Sequence, residues 1–306
     1  MSKRKIVRAV HTRVTTASPE DIFALVAEAS WWPAIFEPTV AANIVKLSTT
    51  SERLEIHALV NGQVENWSST RHLDKNLGTI EFVRDKPEFP FSLMRGKWSF
   101  EPQRGNKTLV ALVHEYSVVD EYRESIEQGL DYNSNRELDA LINLAEVRER
   151  ASDLMLNFKD TVELKCSPRK AFDFINRSEF WPNFLDHVHM VDVVEPTPGV
   201  QFMDMVTRTD NGRSHETKSI RLYDEGSAIT YKQLKCPVIL TGHSGRWTFA
   251  RNGDGCSVSS EHKVVINPDM IASLLGQNST LVDARAYVRN TLGENSRTTL
   301  GAIESA

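Results

Sequence analysis

A chain of 306 residues is long for one small domain and comfortable for two of about 150. Hydrophobic residues are 40% and charged residues 25%, with no apolar run near the roughly 20 residues of a membrane span, so an ordinary globular protein is expected and a membrane partner is not. The 36 basic against 41 acidic residues give a formal charge of -5, which offers nucleic acid no global attraction, and the three cysteines, Cys166, Cys236 and Cys256, form no CxxC pair, so neither a disulfide framework nor a thiolate zinc site is indicated.

In chain order, MSKRKIVRAVHTRVTT alternates charged and apolar residues where a secretory signal would carry a continuous apolar core. We expect a cytoplasmic protein whose residues 5 to 15 form a strand. Ser18-Pro19 reads as a helix start, serine as N-cap and proline at the first helical position, and short helices follow as far as WWPAIF. Strands are expected at 41 to 48, 53 to 60, 63 to 73, 79 to 85, 96 to 103 and 107 to 118, with Asn61-Gly62 as a hairpin turn. A long amphipathic stretch, 122 to 150, closes the series, its charged run EVRERA forming a solvated helix face.

The order then repeats, with a strand at 154 to 164, a helix start at Ser167-Pro168, turns at Asn211-Gly212 and Asp254-Gly255, and a long helix over 268 to 303. Three segments superpose in register. SPEDIFALVAEASWWPAIF falls on SPRKAFDFINRSEFWPNFL, placing Trp32 on Trp181 and Pro33 on Pro182 at an offset of 149. NWSSTRHLD falls on ETKSIRLYD at 150, and MRGKWSFEP on HSGRWTFAR at 149, which puts Gly96 on Gly245 and Trp98 on Trp247. The repeat unit is a whole domain, so we expect duplication into domains 1–151 and 152–306. Each is α+β, a curved antiparallel sheet wrapped around a C-terminal helix with a cavity between them.

On the third strand of the meander, Trp67, Ser69 and Arg71 stand at i, i+2 and i+4 and share one face, the inward one, since Trp67 would otherwise be exposed. An inward arginine needs a partner or water, and a carboxylate such as Glu115 is one candidate. The second copy keeps Ser219 and Arg221 at the same spacing, with Thr217 in place of Trp67. Trp32, Trp67 and Trp98 are candidates to shape a narrow slot, or simply core. His187-x-His189 has no third ligand in view, so no metal is expected.

The element order resembles the helix-grip (START/Bet v1-like) superfamily. Trp32-Pro33 with Trp67-x-Ser69-x-Arg71 is similar to the signature of the aromatase/cyclases of bacterial type II polyketide synthases, and the tandem is similar to their two-domain subclass. Arg84 falls where that family has a second pocket arginine, with Gln233 as its counterpart, and Asn133-Ser134-Asn135-Arg136 and Asn295-Ser296-Arg297 resemble the family's Asn-Ser-Arg segment. Pro38 and Thr39, and His187 and Val188 in the second copy, depart from a glutamate and tyrosine of single-domain relatives, so the acid–base group does not carry over.

The resemblance implies first-ring closure, C7 to C12, and/or dehydrative aromatisation of a poly-β-ketone presented by an acyl carrier protein among other synthase components, without a cofactor. It implies catalytic roles for Arg71, Ser69, Arg221 and Ser219, and substrate contacts from Trp32, Trp67, Arg84, Trp98, Asn135, Trp181, Thr217, Trp247 and Asn295. Arg71 would donate hydrogen bonds to a carbonyl or enolate, so its loss should damage product formation far more than folding. The competing reading is a non-catalytic carrier of hydrophobic ligands, because the superfold hosts both.

Overall fold

The computed structural model describes residues 5–147, 150–208 and 214–305. In the first half β1 (Val7–Thr15) leads to Ser18, whose extended backbone and side-chain oxygen, accepting the Asp21 N–H at 3.1 Å, start α1 (Pro19–Ala27). Trp32-Pro33 opens the single turn α2 (Trp32–Ile35). Six strands follow as a meander: β2 (Thr39–Lys46), β3 (Ser51–Val60), β4 (Gln63–Asp74), β5 (Thr79–Arg84), β6 (Phe91–Gln103) and β7 (Lys107–Val118). The last pairs with β1, giving an antiparallel sheet in the order β1-β7-β6-β5-β4-β3-β2. The long helix α3 (Arg123–Ala145) lies against β1, tied by Arg13 to Asp139 at 2.7 Å and His11 to Asp131 at 2.8 Å. Asn61 (φ 50°) and Gly62 (φ 81°) make the two-residue hairpin between β3 and β4, both in the left-handed region that this tight turn requires.

After α4 (Ala151–Leu154) the second half repeats the plan with β8 (Met155–Leu164), α5 (Pro168–Asn176), β9 (Val188–Thr197), β10 (Val200–Arg208), β11 (Ser214–Asp224), β12 (Ala228–Lys235), β13 (Leu240–Asn252) and β14 (Gly255–Ile266). Its sheet order, β8-β14-β13-β12-β11-β10-β9, is the same topology, and α6 (Ile271–Leu275) and α7 (Leu281–Gly301) complete it. The chain divides into two compact units, Met1–Ala151 and Ser152–Ala306. Among the described residues no helix is long and apolar enough to cross a membrane.

Several boundaries differ from the sequence reading. The first long helix stops at Ala145, and the Glu146 carboxylate accepts the Thr16 N–H at 2.9 Å, tying the helix end to the turn after β1; of the run EVRERA, Arg148 and Glu149 lie outside the described residues. The second is two helices. Gly276 (φ 113°) ends α6, and a capping box between Thr280 and Asp283 starts α7. Strand β6 begins at Phe91, five residues ahead of expectation. The turn placed at Asp254-Gly255 is formed by Gly253 (φ 56°) and Asp254 instead, and Gly255 is already in β14, where an added Cβ would meet the Leu164 carbonyl at 2.1 Å. Asn211-Gly212 lies outside the described residues.

The duplicated glycine has a packing reason. A Cβ on Gly96 would stand 2.3 Å from the Phe82 ring and 2.4 Å from the Val113 carbonyl; on Gly245 it would stand 2.4 Å from the Tyr231 hydroxyl and 2.4 Å from the Glu261 carbonyl. In each half an aromatic side chain from the neighbouring strand lies across the glycine backbone. Gly96→Ala should therefore lower first-domain stability by about 1–3 kcal/mol, read from the denaturant midpoint. An unchanged midpoint would mean that the ring moves aside freely.

Candidate active site

Strand parity sends Ser69 and Arg71 to the inner, buried face of β4, with Trp67 packed against Leu54 and Ile56. Arg71 is 1% exposed. Its Nε and Nη2 donate to Glu52 Oε2 at 2.9 and 2.6 Å, Nη1 donates to the Val26 carbonyl at 3.1 Å, and Nη2 also reaches the Ala27 carbonyl. Those two carbonyls belong to the last turn of α1, where orphan acceptors and the helix dipole both favour a cation. The Trp32 ring lies 5.3 Å from the guanidinium, and its indole N–H donates to Val26 as well, at 3.1 Å.

The second half builds the same clamp. Arg221 donates to the Ile175 carbonyl, to the Asn176 carbonyl at 3.4 Å and to Ser178 Oγ at 2.6 Å, while Trp181 lies 5.8 Å from it and donates to the Phe174 carbonyl at 3.0 Å. Trp-Pro and Ser-x-Arg are therefore two parts of one device that ties the end of the first helix of each half to the sheet. These contacts commit the donors of Arg71 and Arg221, for which the sequence reading gave catalytic roles, to protein acceptors; the carboxylate that pairs with Arg71 is Glu52 rather than Glu115, which pairs with Arg95 at 2.7 Å. The halves differ in one respect. Gln201 stands opposite Arg221 where Glu52 stands opposite Arg71, so among the described residues Arg221 forms no ion pair, and burial pushes its pKa down to about 10. Burial raises the Glu52 carboxyl, but Lys46 and Arg71 outweigh that and hold it below its ordinary value.

Arg84 is different. It pairs across the ladder with Ser69, as Gln233 does with Ser219, and is half-buried with its guanidinium 4.8 Å from the Trp67 ring and 5.2 Å from that of Phe91. Among the described residues it makes no hydrogen bond or ion pair, so its donors remain available between two aromatic faces. Burial lowers its pKa, opposed by Glu65 and Glu88. The Ser219 hydroxyl, on the same inner face of its own half, is buried and has no hydrogen-bond partner among the described residues.

Other anticipated contacts fall elsewhere. Trp98 stacks with Phe36 and Phe100, each at 6.4 Å, and Trp247 lies in the core cluster with Phe172, Trp181 and Phe249, so both are core rather than slot walls. Asn135 accepts from Arg13 at 3.1 Å and donates to the Asp131 carbonyl at 2.8 Å, and the Asn295 side chain is exposed. The inward member of each Asn-Ser-Arg segment is the serine, Ser134 or Ser296, because a 100° step per residue turns its neighbours aside. Thr217 sits half-buried where Trp67 is in the first half. His187 precedes β9 and His189 faces Arg208 at 3.0 Å; among the described residues no cluster of metal-ligating side chains occurs. A pocket of about 330 Å³ touches Trp67 and Arg84, but Arg53, Glu55, His57, Asn66, Ser68 and Asp85 have the outward parity, so it opens on the outer face of the first sheet.

Two groups escaped the sequence reading. Glu137 lies one turn beyond Ser134 on α3, on the stripe with Leu138 and Leu141, and makes no hydrogen bond or ion pair among the described residues. Burial pushes its pKa up to about 7. The Ser134-Glu137-Leu141 spacing was the available signal, hidden because a glutamate in a helix ordinarily reads as surface. The folded state keeps this proton between pH 4.5 and about 7 where the unfolded chain has lost it, so first-domain stability should fall as pH rises through that window. Glu137→Gln should flatten the profile of melting temperature against pH; an unaltered slope would place the carboxyl in water.

The second group is a buried network in the second half. The Tyr231 hydroxyl lies 3.2 Å from His243 Nε2 and 2.9 Å from His262 Nδ1, and those two nitrogens are 3.0 Å apart. His243 Nδ1 meets Gln233 Oε1 at 3.0 Å, and His262 Nε2 meets Ser296 Oγ at 2.8 Å and Ser260 Oγ at 3.0 Å. Burial pushes His262 down to about 4 and His243 well below its ordinary value, so both are neutral bases at neutral pH.

Fold and inner faces together define a tandem helix-grip protein of the START/Bet v1 type. A family model described as polyketide cyclase/dehydrase and lipid transport matches residues 155–296. The bifunctional cyclase/dehydratase of the granaticin polyketide synthase of Streptomyces violaceoruber is 38% identical over 96% of this chain and 92% of its own. That of the actinorhodin polyketide synthase of Streptomyces coelicolor is 38% identical over 98% and 96%. The crystal structure of the di-domain aromatase/cyclase BexL, from the BE-7585A pathway, matches with a TM-score of 0.81 at 36% identity over 98% of both chains, and StfQ, from the steffimycin pathway, with 0.79 at 27% over 97% of both. The chain belongs to this family, the two-domain aromatase/cyclases of type II polyketide synthases.

Proposed function

We propose that this protein folds a poly-β-ketone delivered by an acyl carrier protein, closes its first ring between C7 and C12 by an aldol step, and aromatises that ring by loss of water, in the cytoplasm and without a cofactor. The observation that carries the reading is Arg84, whose donors are uncommitted and which is held between Trp67 and Phe91. A guanidinium so placed can give two hydrogen bonds to a carbonyl or enolate oxygen, and the flanking rings suit a flat, enolised chain. Glu137, with a pKa near neutrality, is suited to accept a methylene proton and return it to the aldol oxygen. The names of the granaticin and actinorhodin relatives support both a ring-closing and a water-eliminating step. A carrier of hydrophobic ligands would need neither a half-buried arginine nor a half-buried carboxyl that, among the described residues, lacks a hydrogen-bond or ion-pair partner.

The test is reconstitution with a minimal polyketide synthase and its carrier protein. Adding the protein should convert spontaneous shunt products into one aromatised first-ring product. An unchanged product spectrum would overturn the proposal in favour of the carrier.

A further inference from the structure

The two halves share a fold but have different interiors. Register matches each member of the second-half network to a position in the first: Tyr231 to Phe82 and His262 to His114, through their shared neighbours Gly245 and Gly96. In the same way His243 corresponds to Met94, Ser260 to Leu112 through Trp247 and Trp98, and Gln233 to Arg84. Three apolar side chains of the first half are thus replaced by a phenol, an imidazole and a hydroxyl. A polar network of this size contributes little net stability over a packed apolar core and is tolerable only when every member is satisfied, so its restriction to one half points to chemistry.

The hydrogen bonds also show what the network can do. Gln233 Oε1 can only accept, so His243 carries its proton on Nδ1 and presents a bare Nε2. His262 then has two arrangements. In one it donates from Nδ1 to His243 and accepts at Nε2 from Ser296; in the other it accepts the Tyr231 proton at Nδ1 and donates from Nε2 to Ser296. In the first, Tyr231 can donate to His243 Nε2; in the second its proton goes to His262 Nδ1 and His243 Nε2 gives up its donor, so the contacts along which a proton passes between Tyr231 and His262 are already in place. Tyr231 and Gln233 are half-buried, while His243, His262, Ser260 and Ser296 are buried, so the phenol is the proton-carrying member of the network that keeps accessible surface.

We propose that Tyr231, backed by His243, His262 and Ser296, is the acid–base group of the dehydration step, and that the second half performs that step after the first half closes the ring. The inference rests on the cyclase/dehydratase reading above. The substrate is a cyclic β-hydroxy ketone. Tyr231 Oη accepts the proton alpha to the carbonyl while its own passes to His262 Nδ1, and the electrons of the broken C–H bond form the enolate. The proton then returns through Tyr231 to the hydroxyl beta to the carbonyl; the C–O bond breaks, water departs and the enolate electrons become the ring C=C bond. The protein ends in the protonation state in which it began, and no oxidant or reductant is needed.

The experiment uses the full chain in the reconstituted synthase, with Tyr231→Phe and His262→Gln assayed beside wild type and each variant's melting temperature recorded. Phe82 already occupies the Tyr231 position in the first half, so Tyr231→Phe has a precedent for folding; glutamine retains a hydrogen bond toward Ser296 but cannot shuttle a proton. Both variants should still close the ring and should accumulate the cyclised product heavier by one water, with the ratio of aromatised to hydrated product falling roughly 100-fold or more. A wild-type ratio from stably folded Tyr231→Phe would overturn the relay while leaving the cyclase reading intact. Only uncyclised shunt products from that variant would equally overturn it, because the network would then serve ring closure. Failure of the wild-type protein to alter the products condemns the parent reading instead.

Discussion

Arg84→Ala is expected to cut the yield of correctly closed first ring by roughly 100- to 1,000-fold, with melting close to wild type. The size follows from what the residue gives up: a preorganised cation in a site of low dielectric, with no hydrogen bond or ion pair to any described protein group, flanked by Trp67 at 4.8 Å and Phe91 at 5.2 Å. Because no protein partner depends on it, its removal leaves nothing buried and unpaired, and stability should change by less than about 1 kcal/mol. Arg84→Lys keeps the charge but loses the planar fork, so it should restore only part of the rate. The measurement is the ratio of aromatised to shunt product at saturating carrier protein. A wild-type ratio from Arg84→Ala would remove this arginine from the mechanism.

Arg71→Met should act mainly on folding. It strands the Glu52 carboxylate, which is 3% exposed, with only Lys46 opposite, and leaves the Val26 and Ala27 carbonyls at the end of α1 without their donor. Breaking a buried pair by removing one member costs about 3–5 kcal/mol, or roughly 10 °C in the melting temperature of a domain of this size. The double variant Arg71→Met/Glu52→Gln should recover part of that loss, since no unpaired charge remains. Arg221→Met has no stranded carboxylate to leave behind and should cost less, about 1–3 kcal/mol for the unsatisfied helix carbonyls. Calorimetry on the three variants orders these effects; equal losses at Arg71 and Arg221 would show that Glu52 contributes nothing specific. Loss of product from Arg71→Met would then follow the loss of folded protein, the reverse of what its motif suggests.

The architecture was legible before any coordinates because it rests on local signals repeated twice. Ser18-Pro19 and Ser167-Pro168 cap helices through their own side chains, Asn61-Gly62 supplies two residues that tolerate positive φ, and alternation along residues 63 to 73 states which side chains share a face. The inward direction of Arg71 and Arg221 was equally readable. What each arginine meets there was not. Glu52 lies 19 residues from Arg71 and Val26 lies 45 away, and only the pairing of β3 with β4 and the return of α1 over the sheet bring them together. Spacing in a strand reports direction, whereas commitment of a charged group depends on contacts distant in sequence. The same limit hid Glu137 and the Tyr231–His243–His262 network: each looked ordinary on its own element and becomes distinctive only when packing withholds a partner from one and brings the other three within 3.2 Å. Sequence alone determined the duplicated fold and the inner faces; tertiary structure decided which inward side chains hold the fold and which are left for a substrate, because satisfaction of a buried polar group is a property of its surroundings.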